Sequence, residues 1–297
     1  MRSQKTAGIS VILAAIVIFA AIIAIRGGTM NTEPEPIEIK SIDTDGCKMN
    51  YFTFGHGKKT FVMLPGASVV SVMNSADAVA AAYADFTDIY TVYLFDEPND
   101  LYFGMTPEQM AAETAKAMEI LGIKNADLFG CSLGGIQAQI IAETKPELVH
   151  KLVLASTLCR QDDTTSALAG RWISFAKAHD IVSLNRDFAA CVYSEEYYKT
   201  YEDVFKSIET VGTDEQMDRF AAMMNACGLM DRYDELADIK CPALVIGAWG
   251  DKALGGEASV TIADKLGCEI YMYDGYSHAV YDEAPDYKAR LLDFFGD

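Results

Sequence analysis

The chain has 297 residues, 51% hydrophobic and 23% charged, which suits one large domain or two small ones and excludes a disordered or low-complexity chain. Its 43 acidic against 24 basic side chains leave a net charge of -19, arguing against a nucleic-acid or anionic-lipid partner held through its phosphates. Residues 1–26 carry Arg2, Lys5 and Arg26 and no acid, so residues 27–297 sum to -22.

Residues 7–25 are nineteen consecutive positions without a charge, interrupted in their apolar character only by Gly8 and Ser10. As a helix rising ~1.5 Å per residue, the run would cross a bilayer's hydrocarbon core. Arg2 and Lys5 precede it, while Glu33 and Glu35 follow, so the bias of positive charge towards the cytoplasm predicts an anchor over 1–26 with the rest of the chain outside the cytoplasm. The alternative is a cleaved signal and a secreted protein, but the run is long for one and Ala24-Ile25-Arg26 is a poor cleavage site.

A short Pro/Glu linker over 27–36 follows. Beyond it, β-branched and aromatic runs at 59–64, 89–95, 126–129, 151–155, 243–247 and 269–273 alternate with helical patterns. Such alternation predicts a mostly parallel sheet with helices on both faces. Gly55-His56-Gly57 reads as a hairpin turn between early strands. A helix begins at Thr106, where Pro107 suits the first position, Gln109 completes a capping box and Gly122 stops it, with Met110, Ala117, Met118 and Leu121 on one face.

Residues 160–238 lack parallel-strand runs and instead show helical spacing, as in Tyr197, Tyr201, Phe205 and Ile208, then Met217, Phe220 and Met224. They read as a helical insertion between core segments 37–159 and 239–297. The insertion's own packing accounts for such stripes as well as a binding surface does. Seven widely spaced cysteines, with no C-x-x-C pair, suggest small buried side chains and no zinc site.

The run at 126–129 leads into Gly130-Cys131-Ser132-Leu133-Gly134, followed by a helical pattern at Ile136, Ile140 and Ile141. This is G-x-S-x-G in a strand-turn-helix setting, where glycines allow the tight turn that holds the serine exposed. Ser132 is therefore the candidate nucleophile, and Cys131, at the variable position, is expected to point away from substrate. A serine hydroxyl needs a base. Among His56, His150, His179 and His278, only His278 sits in a loop after a strand and keeps the order Ser, acid, His. Asp251, just past the strand at 243–247, is the candidate acid, with Asp162 and Asp163 as rivals. The oxyanion of a tetrahedral intermediate needs two N–H donors, for which Leu133 and Ala67 are the candidates.

Taken together, Leu64-Pro65-Gly66, Phe95-Asp96, the elbow at 130–135, Lys145-Pro146-Glu147 and the later Asp251 and His278 resemble the α/β-hydrolase superfamily, its capped esterase, lipase and peptidase-like group. The resemblance implies an α/β-hydrolase fold and places 160–238 as a cap over the active site. Two departures bear on the oxyanion site: Pro65-Gly66 stands where the family usually has His-Gly, and no Gly-rich pattern follows Asp96.

The expected activity is hydrolysis of a small or medium apolar carboxylic ester through an acyl-enzyme, with no cofactor and no metal. Aminopeptidase, acyltransferase and carbon-carbon hydrolase chemistry are alternatives on the same fold, and a non-catalytic membrane-anchored binding module is the alternative from another class. The expected partners are a small-molecule ester or amide and, through the N-terminal helix, a membrane.

Overall fold

A computed structural model describes residues 36–44 and 46–296. The anchor expected over 1–26 lies outside the described residues, as does nearly all of the linker. Among the described residues no helix is long and apolar enough to cross a membrane.

Eight strands form one sheet: β1 (Lys40–Asp43), β2 (Lys48–Phe54), β3 (Lys59–Leu64), β4 (Tyr90–Phe95), β5 (Ala126–Cys131), β6 (Val149–Ala155), β7 (Ala243–Ala248) and β8 (Glu269–Tyr273). Their spatial order is β1-β2-β4-β3-β5-β6-β7-β8. The last six in that order run parallel, while β2 is antiparallel to β4 and to β1. All six apolar runs read from the sequence are strands of the parallel part.

One early expectation is corrected. Gly55-His56-Gly57 is no hairpin turn, because β2 and β3 are not neighbours; each pairs with a different side of β4. The connection instead passes the start of β4, with the N–H groups of His56 and Gly57 donating to the Thr87 carbonyl at 2.9 and 3.1 Å.

Alternation along the strands sorts side chains to two cores. Val62 and Leu64 of β3 join Leu128, Leu152, Leu154 and Val245 on one face, against α2 (Pro107–Ile120), α3 (Leu133–Thr144) and α9 (Gly256–Leu266). Phe61 and Met63 join Phe129, Val153, Leu244 and Ile246 on the other, against α1 (Ala76–Ala82) and α11 (Tyr287–Gly296). Helix α2 has the capping box predicted from Thr106 and Gln109.

Between β6 and β7 the chain is helical: α4 (Asp163–Lys177), α5 (Ile181–Val192), α6 (Glu195–Thr200), α7 (Glu202–Ile208) and α8 (Asp214–Gly228). These helices bury a third apolar cluster, centred on Leu168, Trp172, Leu184, Phe205 and Phe220, which also includes Ala67 and Leu133 of the core. Arg160 and Asp231 form an antiparallel bridge. Backbone bonds from Arg232 to Cys159 and from Gln161 to Met230 flank it, so the helical segment leaves and rejoins the core at one place.

Candidate active site

Ser132 follows β5 and caps α3. Its backbone stands at φ 50° and ψ -118°, a conformation that a side chain adopts only where packing compels it. The compulsion is visible in the glycines around it. A Cβ on Gly134 would lie 2.0 Å from the Leu64 carbonyl oxygen, and one on Gly130 would lie 2.4 Å from that of Gly134. Helix and strand thus approach too closely for any other residue, and the turn between them lifts the serine out of the sheet. Ser132 N–H donates to the Ala155 carbonyl at 3.0 Å, and the Thr157 hydroxyl donates to the Ser132 carbonyl at 2.7 Å.

His278 lies in the loop between β8 and α10 (Val280–Glu283) and is buried. Its Nδ1 is 2.9 Å from Asp251 Oδ2. The other oxygen, Asp251 Oδ1, accepts from the N–H groups of Ala253 and Leu254 at 2.8 and 2.9 Å. Burial alone would push the Asp251 carboxyl up, but His278 and those two N–H groups outweigh it and hold it below its ordinary value. The acid is therefore a fixed anion that orients the histidine. Ser132 and His278 line one cavity.

The remaining histidines are elsewhere. His56 lies 3.3 Å from Asp88 at the surface, and His179 bonds Asp218 at 3.2 Å. His150 Nδ1 pairs with Asp127 at 2.8 Å beside Tyr90, which donates to the same carboxylate. The rival acids serve the cap: Asp162 accepts from Thr165 N–H at 2.7 Å as the N-cap of α4, and Asp163 opens that helix.

Leu133 and Ala67 also line the cavity. Leu133 is the first residue of α3, so its N–H has no acceptor within the helix. The loop carrying Ala67 abuts the nucleophile closely, since a Cβ on Gly66 would lie 3.2 Å from Ser132 Cβ. Both candidates for the oxyanion donors thus flank the serine.

Cys131 departs from expectation by lining the cavity and not pointing away from it. Burial pushes its thiol up to about 12, so it stays protonated and unreactive. All seven cysteines are free.

The cavity measures about 120 Å³. Leu168, Trp172, Phe188, Val192 and Met224 of the helical segment roof it, and its far side reaches Tyr83, Tyr281, Asp282 and Lys288. Sequence reading missed that far side. Burial pushes the Asp282 carboxyl up to about 7, Lys288 pulling it down and Glu283 adding to the rise.

It also missed a buried contact between core and cap. Arg219 of α8 donates to Asp96 Oδ1 at 3.3 Å and to the Glu97 carbonyl at 2.9 Å, just beyond β4. Its guanidinium lies 3.6 Å from the Glu97 carboxylate, and Ser71 donates to Asp96 at 2.6 Å. Burial, with the Asp96 charge, pushes Glu97 well above the carboxylate range against the pull of Arg219. Among the described residues, no group of three or more His, Cys, Asp or Glu could hold a metal ion.

Comparison with known proteins agrees with the fold. The sequence profile of a family described as alpha/beta hydrolase fold matches residues 82–285. A 2-hydroxy-6-oxononadienedioate/2-hydroxy-6-oxononatrienedioate hydrolase from Paraburkholderia phymatum is 26% identical over 273 residues, covering 84% of this chain and 91% of that protein. Among solved structures, the enol-lactonase from Burkholderia xenovorans superposes with a TM-score of 0.76 at 19% identity, covering 87% of this chain and 100% of that one. A thermophilic esterase from Thermogutta terrifontis gives 0.73 at 16% identity, covering 87% and 98%. At these identities the structural likeness speaks for the fold alone.

Proposed function

This chain belongs to the alpha/beta hydrolase fold family and is a hydrolase of that fold, and from that premise we propose that it cleaves a carboxylic ester through an acyl-enzyme on Ser132. The observation that carries the reading is that His278, paired with Asp251, and Ser132 line one cavity roofed by apolar side chains. His278 takes the Ser132 proton as Oγ attacks the ester carbonyl, and the N–H groups of Leu133 and Ala67 receive the oxyanion. Collapse of the tetrahedral intermediate breaks the bond to the alkoxy group, which leaves with the proton from His278. Water, deprotonated by the same imidazole, then attacks the acyl-enzyme and frees the acid and Ser132.

Carbon-carbon bond hydrolysis is the second reading, favoured by the relative that acts on a dienedioate. A doubly anionic substrate calls for paired cations. Among the described residues lining the cavity, Lys288 is the only Lys or Arg, which supports the ester.

The test is labelling by a fluorophosphonate probe, compared between the protein and Ser132→Ala, followed by kcat/KM on aryl esters of graded chain length. Serine-dependent label with ester turnover is expected. Label without ester turnover, alongside cleavage of a vinylogous 1,5-diketone, would move the assignment to the carbon-carbon reaction. Absence of label in both proteins would favour a binding module.

We further propose that the body is exported and tethered by residues 1–26, on the strength of their uncharged run and flanking charges. Mass measurement of the N-terminus of the membrane fraction, with protease added outside intact cells, tests this. A mature start near Gly27 would convert the anchored protein to a secreted one.

A further inference from the structure

We propose that the side of the cavity formed by Asp282, Lys288, Tyr83 and Tyr281 is a subsite for a neutral hydroxylated group, so that the ester taken by Ser132 carries a hydroxyl on its acyl or its alcohol part. The inference rests on the serine-hydrolase reading above and names the substrate class for it.

The cavity has two unlike sides. Towards the cap it meets Leu168, Trp172, Phe188 and Val192, which offer apolar bulk, with Gln161 and Thr165 as the polar residues of that segment. Towards the core it meets a carboxylate and an ammonium six positions apart in the chain, at the junction of α10 and α11. Asp282 Oδ2 is buried without a hydrogen-bond partner, and so is the Tyr287 hydroxyl. Lys288 Nζ donates to the Tyr281 carbonyl at 3.4 Å and stands 5.3 Å from the centre of the Tyr83 ring. Among the described residues, Tyr83, Tyr193, Tyr197, Tyr281, Tyr287, Cys131, Glu283 and Lys288 are titratable groups whose fields couple to Asp282. A buried acceptor lacking a donor, next to the wall of a substrate cavity, is costly unless something supplies the donor.

The charge balance selects which donor. An ammonium group would satisfy Asp282 but would be brought against Lys288. A carboxylate would suit Lys288 but would face Asp282, inside a body of net charge -22. A hydroxyl donates to Asp282 when that group is ionised, accepts from it when it is protonated, accepts from the ammonium in either case, and adds no charge to a buried pair.

The experiment compares ethyl hexanoate with ethyl ω-hydroxyhexanoate, monoethyl adipate and ethyl ω-aminohexanoate, and propyl hexanoate with glyceryl monohexanoate. The hydroxylated member of at least one series is expected to exceed its alkyl counterpart by about tenfold in kcat/KM. Lys288→Met and Asp282→Leu should each bring that ratio to about 1, whereas general damage to the fold lowers both members alike. Titration calorimetry on Ser132→Ala with the same esters reads the subsite without turnover. Tighter binding of the hydroxylated ester supports the subsite even if Ser132 proves not to act on esters. Equal or weaker binding of both hydroxylated members, or a lead for the carboxylate or amine, overturns it.

Discussion

Ser194 gives both its backbone N–H and its hydroxyl to Glu283, at 2.9 and 2.5 Å. One partner opens α6 of the cap and the other ends α10, five residues after His278. Nearby, Ala279 N–H donates to the Val192 carbonyl at 2.9 Å, and Ser277 Oγ donates to that of Cys191 at 3.2 Å. The loop that carries His278 is therefore held from the cap side as well as from Asp251. Ser194→Ala removes a hydrogen bond to a half-buried carboxylate and should lower stability by about 1.5–3 kcal/mol. Thermal unfolding measures that loss, and a several-fold fall in fluorophosphonate labelling rate would report the loosened histidine.

Asp251→Asn should leave the fold intact and lower kcat by roughly 10⁴-fold, because an amide nitrogen facing Nδ1 favours the wrong tautomer of His278 and the imidazolium loses its counter-charge. KM should change little. Steady-state kinetics on an aryl ester checks both values, and a variant within tenfold of the parent would show that another acid serves His278.

Arg219 answers two buried carboxylates at once. Arg219→Met should cost about 3–5 kcal/mol by stranding the Asp96 charge, measured by denaturant unfolding. Adding Asp96→Asn and Glu97→Gln to it should recover much of the loss. If the triple variant is no more stable than Arg219→Met, the cost lies in cap packing and not in charge.

The raised Asp282 carboxyl makes a pH prediction whose sign follows from linkage. The unfolded chain releases this proton near pH 4 and the folded chain releases it at about 7, so across that interval the folded state binds the extra proton. Stability of the parent relative to Asp282→Asn should therefore fall as pH rises from about 4 to about 7 and level off above. The difference should reach a few kcal/mol at most, roughly 1.4 kcal/mol per pH unit of separation. Unfolding curves of both proteins at stepped pH give it directly, and a difference that grows with pH would contradict the assignment.

Much of the core was legible in the sequence for a physical reason. Strands covered on both faces read as unbroken apolar runs, so β3 to β8 stood out, and the start of α2 was marked by local cap chemistry at Thr106. β1 escaped and β2 was anticipated only as an early strand without bounds, because β1 is largely exposed and neither is an unbroken apolar run. The misread turn at His56 shows the limit of local signals: glycines announce a change of direction but do not say which strand is the partner. At the site, Ser132, Asp251 and His278 could be located because each follows a recognisable strand. Thr157, Arg219, Asp282 and Lys288 could not, since their roles arise only when segments far apart in the chain meet. Cys131 lines the cavity although the motif suggested otherwise, a matter of side-chain direction that the pattern leaves open.

The bridge between Arg160 and Asp231 makes the helical cap a loop with a closed neck. Everything that forms the apolar roof of the cavity is strung between two points that already touch, whereas Ser132, Asp251 and His278 all lie on the other side of that neck. Such a layout lets the roof be exchanged as a cassette without re-registering a single strand. Selectivity for the apolar part of a substrate and the capacity for bond cleavage can therefore drift independently over evolutionary time, and a chimera that grafts another relative's cap at the neck would inherit the first while keeping the second.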